Sequence, residues 1–390
     1  MDTFWGYPRK NGTVGVRNHV LIIANCSCAS GVIQRIAAKT PGAIPMLHTY
    51  GCSIPGEYDR WRRTLIGVCT NPNVYAVVLI GVGCETDDAR EIARKIQQMR
   101  DMPVFVQIVQ NDGGGEAVIE RCIRQARAFI EEAKQEKRVE TPVSKLVLGT
   151  ECGGSDALSG VTANPVIGYV ADRVVDQGGT VILSEVAEMI GAEELLASRA
   201  KNKDVAEAIK KMIAREETEV RRYLGPDAAR IIARGNMEGG LTTIQEKALG
   251  CIRKGGSSTI MDVIEYAAPI EQRKGLVIMH GPGYDPVSLS GLFATGAQAV
   301  LFSTGRGNLL GYPAAPIIKI CSNSTVYNKM GGIDGDMDIN AGKILEDASM
   351  EQVVEETYQY FLEVCSGRKS VPEKRGYGGA MCVYSASTPL

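Results

Sequence analysis

Several things are scarce in this chain, and each scarcity removes a class of function. Histidine occurs only three times in 390 residues, so a histidine-rich metal centre is excluded and any histidine at a reactive position stands out. Neither sign of charge is in surplus: 43 Lys and Arg face 45 Asp and Glu, which leaves no cationic footprint for nucleic acid and no acidic tail. No apolar run reaches membrane-spanning length, and residues 1–10 carry no apolar signal core. The expectation is a cytoplasmic protein that meets neither membrane nor nucleic acid. The eleven cysteines lack the short spacings of a secreted disulfide framework and are expected to be reduced, as core thiols, metal ligands or nucleophiles. There is no fixed-period repeat and no Gly-x-x-x-x-Gly-Lys-Ser/Thr phosphate loop. Gly81-Val-Gly-Cys-Glu85 begins like a dinucleotide loop, but the third glycine and the distant acidic strand end are missing, which argues against NAD.

What the chain has is glycine, 44 residues of it, gathered where apolar runs stop. Residues 20–24, 44–47, 74–80 and 104–109 read as buried strands before a charged, proline-ended stretch at 134–142, taken as a linker. Residues 145–148, 180–183, 276–279, 299–302 and 317–320 read as strands after it. Helical segments alternate with these runs: 164–177, where Asn164 and Pro165 read as N-cap and first turn, a charged pair over 192–224, and 350–365. The expected class is α/β: two doubly wound, mainly parallel, Rossmann-like halves with glycine-rich active-site loops, residues 1–140 and 141–390. In such sheets ligands sit at the carboxyl ends of the strands.

Reactive side chains fall at those ends. The run through Leu148 stops in Glu151-Cys-Gly-Gly-Ser-Asp156, and the run through Leu183 stops in Ser184-Glu185. Cys52, Cys84 and Cys152 each follow an apolar run beside glycine, and three converging thiolates would suit iron or zinc with one position open. The alternative is that they are small residues filling tight bends. His48, four residues before Cys52, is the first candidate for moving a proton, and His280 the second. Arg306, between glycines, offers a planar fork to a carboxylate or phosphate or stands free on a loop. From spacing alone, Glu246-Lys247 is an exposed helical pair.

The stretches Gly6-Tyr-Pro-Arg, His48-Thr-Tyr-Gly-Cys52, Gly83-Cys-Glu85, Glu151-Cys-Gly-Gly-Ser-Asp-Ala-Leu-Ser-Gly160, Gly178-Gly-Thr-Val-Ile-Leu-Ser-Glu185, Gly240-Leu-Thr-Thr-Ile-Gln-Glu-Lys247, Gly281-Pro-Gly-Tyr-Asp285 and Phe302-Ser-Thr-Gly-Arg-Gly307 span the chain in order. Together they resemble the altronate/galactarate dehydratases, the UxaA family. The resemblance implies iron-dependent loss of water from a sugar acid such as altronate, giving a 2-keto-3-deoxy acid. A related branch, the sulfolactate sulfo-lyases, expels sulfite. Longer members begin with a small SAF domain, so this chain reads as the large, oligomeric subunit of a split enzyme with a SAF-domain partner. A non-catalytic binding subunit is the rival class, and a thiol transferase using Cys152 a third. Many sugar-acid dehydratases carry an Asn-Pro-Ser-Pro-Gly-Asn type loop where this chain has Ala233-Arg-Gly-Asn-Met-Glu-Gly239, which keeps the sulfolactate alternative open.

On that resemblance Cys52, Cys84 and Cys152 bind iron, as Fe2+ or as an iron–sulfur cluster with one open iron. His48 or Glu151 moves the proton beside the substrate's carboxylate. Arg306, Lys247, Thr242 and Thr243 hold carboxylate and hydroxyls, and Asp156 and Glu185 orient the site.

Overall fold

A computed structural model describes residues 1–52, 58–225 and 232–384. Its strands in chain order are β1 Thr3–Pro8, β2 Val14–Gly15, β3 His19–Ala24, β4 Ala43–Met46, β5 Val74–Gly81, β6 Val104–Ile108 and β7 Val139–Pro142. There follow β8 Val147–Cys152, β9 Thr180–Leu183, β10 Ile260–Ile264, β11 Gly275–Met279, β12 Ala299–Thr304, β13 Ile317–Cys321 and β14 Ile339–Asn340. They form a four-stranded sheet ordered β4-β3-β5-β6 and a seven-stranded sheet ordered β10-β11-β9-β8-β12-β13-β14. Every pairing in both is parallel. The chain is therefore a mixed α/β protein with parallel sheets.

Strands buried on both faces need unbroken apolar runs, and β5 shows why. Val77 and Leu79 enter one core, Ala76, Val78 and Ile80 another. The helices Ser30–Ala38 and Gly114–Gln135 supply the second core, and Tyr58–Thr70 and Ala89–Met99 the first. In β11, Leu276 and Ile278 likewise face one core while Val277 and Met279 face the core that holds Val77 and Leu79.

Three expectations change. The stretch read as a linker contains β7, which pairs antiparallel with β1 and, through it, with β2 in a small third sheet. Asn164 does not cap its helix: Ala163–Asp176 starts after Thr162. Asn164 instead donates to the Gly250 carbonyl (2.9 Å) and accepts from Ser303 Oγ (2.6 Å). The loop expected at residues 235–240 is largely a short helix, Arg234–Glu238.

Candidate active site

Successive side chains of a strand point to opposite faces, so the last two residues of β8 open two different environments. Cys152 joins the side that holds Glu185, Glu188 and Cys251. Glu151 turns to the helix Asp285–Thr295, where Ser288 Oγ donates to its Oε2 at 2.5 Å.

On the Cys152 side, one ligand atom from each of Cys152, Glu185, Glu188 and Cys251 lies within 4.8 Å of the others, and all four residues are buried. Cys152 Sγ is 3.2 Å from Glu188 Oε2 and 3.4 Å from Glu185 Oε1, and the Cys152 backbone N–H donates to Glu185 Oε2 at 3.1 Å. Glu185 follows β9 with φ at +68°, a conformation a side chain enters only under constraint. The 3-10 turn Val186–Met189 behind it brings Glu188 round to the same group. Two lysines complete the set: Lys254 donates to Glu185, and Lys247 Nζ donates to Glu188 Oε1 at 2.5 Å.

Burial opposes charge on Cys152, the two glutamates and the two lysines, and their neighbours add to or offset it. Lys254 stays protonated because Cys152, Cys251 and the two carboxylates outweigh its burial. The Glu185 carboxyl is pushed up, first by burial and then by Cys152, with Lys254 opposing both. Burial also opposes the Glu188 charge, but Lys247 and Lys254 outweigh it and hold the carboxyl below its usual range. The Cys152 thiol is pushed well up by its hydrogen bond with Cys251, then by burial and by Glu188.

This is a buried Cys/Glu cluster that could bind a metal ion. The charges fit: two carboxylates are already balanced by two lysines, so ionising both thiols would supply the two negative charges that a divalent ion requires.

A cavity of 270 Å³ opens over the cluster, lined by Cys152, Asp156, Asn164, Lys247, Cys251 and Arg253 among others. Lys247 presents an ammonium here, kept charged against burial by Glu188. Asp156 organises the cavity wall and spends its acceptor capacity on protein. Its Oδ1 accepts from Ser159 N–H (2.8 Å), Ser159 Oγ (2.7 Å) and Ser322 Oγ (2.7 Å), and its Oδ2 from Asn323 Nδ2 (2.8 Å). Arg306 is exposed and donates to Glu238 at 3.0 Å. Thr243 caps the helix Ile244–Cys251, accepting from the Glu246 N–H at 3.1 Å, and Thr242 Oγ donates to Glu246 Oε2 at 2.8 Å. Neither threonine nor Arg306 lines the cavity.

The expected thiol trio is not brought together. Cys52 follows β4 and Cys84 follows β5, both strands of the four-stranded sheet, and neither belongs to the Cys/Glu group. His48 ends on backbone: Nε2 pairs with the Ala24 carbonyl at 2.7 Å and Nδ1 accepts from the Tyr50 N–H at 3.2 Å, so neither nitrogen is free to shuttle a proton. Sequence reasoning missed Glu188, Cys251 and Lys254. The signal was present as Lys247, Cys251 and Lys254 at i, i+4 and i+7, one face of a helical stretch.

An α/β chain with a buried acid–thiol–lysine cluster at its strand ends has the parts of a lyase site. The family model "D-galactarate/Altronate dehydratase, C-terminal" matches residues 143–388, and "D-galactarate dehydratase/Altronate hydrolase, second domain" matches 6–134. The chain belongs to the D-galactarate/altronate dehydratase family. It is 34% identical to altronate dehydratase of Bacillus subtilis, over 96% of this chain and 76% of that protein. It is 32% identical to galactarate dehydratase (L-threo-forming) of Escherichia coli, over 94% of this chain and 73% of that one. The beta subunit of (2R)-sulfolactate sulfo-lyase from Chromohalobacter salexigens is 33% identical, over 96% of this chain and 95% of its own length. These relatives are all lyases by name.

Proposed function

We propose that this chain is a hydro-lyase that removes water from a sugar acid such as altronate, yielding a 2-keto-3-deoxy acid. The observation that carries the reading is the cavity over Cys152, where a held-charged Lys247 stands above a buried acid and thiol cluster. Loss of water from a hydroxy acid requires removal of a proton beside the carboxylate and stabilisation of the resulting enolate. Lys247 binds the carboxylate. Glu188, kept ionised by the lysines and 3.2 Å from Cys152 Sγ, accepts the proton at Oε2. Asp156 and its serine partners keep the wall shaped and dry. We assign iron as the metal, which Cys152, Cys251 and Glu185 would hold; it supplies Lewis acidity for the enolate and the leaving hydroxyl. The same reading takes each parallel sheet as a doubly wound, Rossmann-like half with glycine-rich loops at its strand ends, supported by the order reversals at β3/β5 and β8/β12.

A second reading is a carbon–sulfur lyase subunit that releases sulfite from sulfolactate. The match over 95% of a protein named as a beta subunit favours it, and with it a small SAF-domain partner and an oligomeric complex. Iron-reconstituted protein, alone and with the co-expressed partner, is to be offered altronate, galactarate and sulfolactate. Keto acid from a sugar acid supports the first reading and sulfite the second. No product from any of the three, in a preparation that retains its metal, sinks both.

A further inference from the structure

Lys319 is a fully buried charge that the reading above leaves unused. In the parallel ladder Glu151 of β8 stands opposite Phe302 of β12, and Phe302 opposite Lys319 of β13. The three side chains therefore form one row, on the face away from Cys152. Lys319 Nζ lies 3.1 Å from the centroid of the Phe302 ring and donates to Asn308 Oδ1 at 3.3 Å. Asn308 Nδ2 in turn donates to Asp285 Oδ2 at 2.7 Å. That amide–carboxylate pair presses on the residue after Cys152: a Cβ at Gly153 would lie 2.2 Å from Asp285 Oδ2 and 2.7 Å from Asn308 Nδ2. At the other end of the row, Glu151 Oε1 is buried without a donor.

We propose that Lys319 is a positioning residue for the lyase reaction: through its hydrogen bond to Asn308 it holds the Asn308–Asp285 pair against Gly153, fixing the turn that carries Cys152 beneath the cavity. The proposal rests on the lyase reading for its kinetic consequences but not for its electrostatics. Three acids face the amine: Glu151 from β8, Asp285 from the helix Asp285–Thr295, and Asp338, which precedes β14 and accepts the Lys319 N–H at 2.8 Å. Burial outweighs all three and brings the amine down to about 7.

The kinetic test compares Lys319→Met, Asn308→Ala and the double variant in the iron-reconstituted full chain, with its partner if activity needs one. Each single change lowers kcat by about tenfold or more with KM within about twofold, and the double variant is no slower than the slower single, because the residues act as one unit. Losses that multiply in the double variant, or a raised KM at unchanged kcat, overturn the proposal. Should Lys319→Met fail to fold, Asn308→Ala carries this arm by the same kcat criterion. The second arm needs no substrate. A buried amine whose folded value lies near 7, against an ordinary 10.5, costs stability fully below 7 and progressively less as pH rises towards 10.5. Wild type must therefore gain stability relative to Lys319→Met across that interval; a constant difference overturns the placement of Lys319 as a buried amine in this row. If wild type converts none of the acids, the lyase reading has failed, and this arm still decides whether Lys319 is the buried amine described.

Discussion

At the scale of single residues, charge balance decides which groups could share a metal. Cys152 and Cys251 lie beside two carboxylates that are already paired with lysines, so a divalent ion needs both thiols. Metal content measured after reconstitution is expected to fall to background in Cys152→Ser and in Cys251→Ser. It should be unchanged in Cys52→Ser and Cys84→Ser; loss in the latter pair would restore the trio suggested by the sequence. His48 makes a different prediction. Burial brings its imidazole down to about 4 from 6.5. The folded state therefore keeps it neutral, and its contribution is present above 6.5 and lost as pH falls through 4. The interval corresponds to about 3 kcal/mol, reduced by any partial exposure. His48→Gln should flatten the acid limb of a pH–stability curve between those values while leaving the pH profile of kcat in place. A shift of that profile would return His48 to the chemistry. Lys247 shows why such roles are hard to read from sequence: an adjacent Glu-Lys pair looks like a solvated helix face, and only the i, i+4, i+7 row through Cys251 and Lys254 tells of a face turned inward.

Elements were legible where one physical signal was sufficient. The doubly buried strands announced themselves as apolar runs, and the expected 180–183 and 350–365 coincide with β9 and the helix Met350–Cys365. What stayed hidden was pairing at the edges. β1 alternates buried and exposed residues and β7 is mostly exposed and holds Glu140, so neither is an apolar run, and their sequences resemble loops until each finds the other. The same region holds the Arg17–Glu373 bridge, which fastens the segment before β3 to the helix Val371–Arg375. Arg17 Nε and Nη2 meet the two carboxylate oxygens at 2.7 Å each, and the guanidinium also donates to the carbonyls of Val364 and Arg368. Burial would raise the Glu373 carboxyl, but Arg17 outweighs it and holds it below the ordinary 4.5. A depressed carboxyl stabilises the fold in full above 4.5, and the contribution vanishes as pH falls through the folded value. Glu373→Gln leaves a largely buried guanidinium without its charge partner and should cost about 3 kcal/mol at neutral pH. The gap between variant and wild type should narrow under acid, measured as denaturant midpoints at pH 7 and pH 3. A gap of the same size at both would show that the bridge is not its source.

For the molecule as a whole, the two parallel sheets share a core. Leu21, Ile23, Val77 and Leu79 of one and Ile182, Val277, Met279, Val300 and Phe302 of the other belong to the same apolar cluster, with the helices Tyr58–Thr70 and Asp285–Thr295 between them. Asn71 donates to the carbonyls of Phe293 and Ala297 at 2.8 Å, and Asn73 to that of Gln298 at 2.8 Å, so buried amides cross the same junction. Where the two helices touch, Gly67 is required by distance: a Cβ there would stand 2.3 Å from the Ala294 carbonyl oxygen. Helix 285–295 also carries Ser288, against Glu151, and Asp285, so one helix links the junction to the polar row beneath the site. Gly67→Ala should force the helices apart and cost about 1–3 kcal/mol, and the loss should appear equally in both sheets because they unfold together. Hydrogen exchange of β5 and β11 amides in denaturant, followed in wild type and variant, reads this directly. Parallel loss of protection in both strands is expected; loss confined to β5, with β11 protected through a second transition, would mean that the sheets are separate cooperative units and that the shared core contributes little to holding the site.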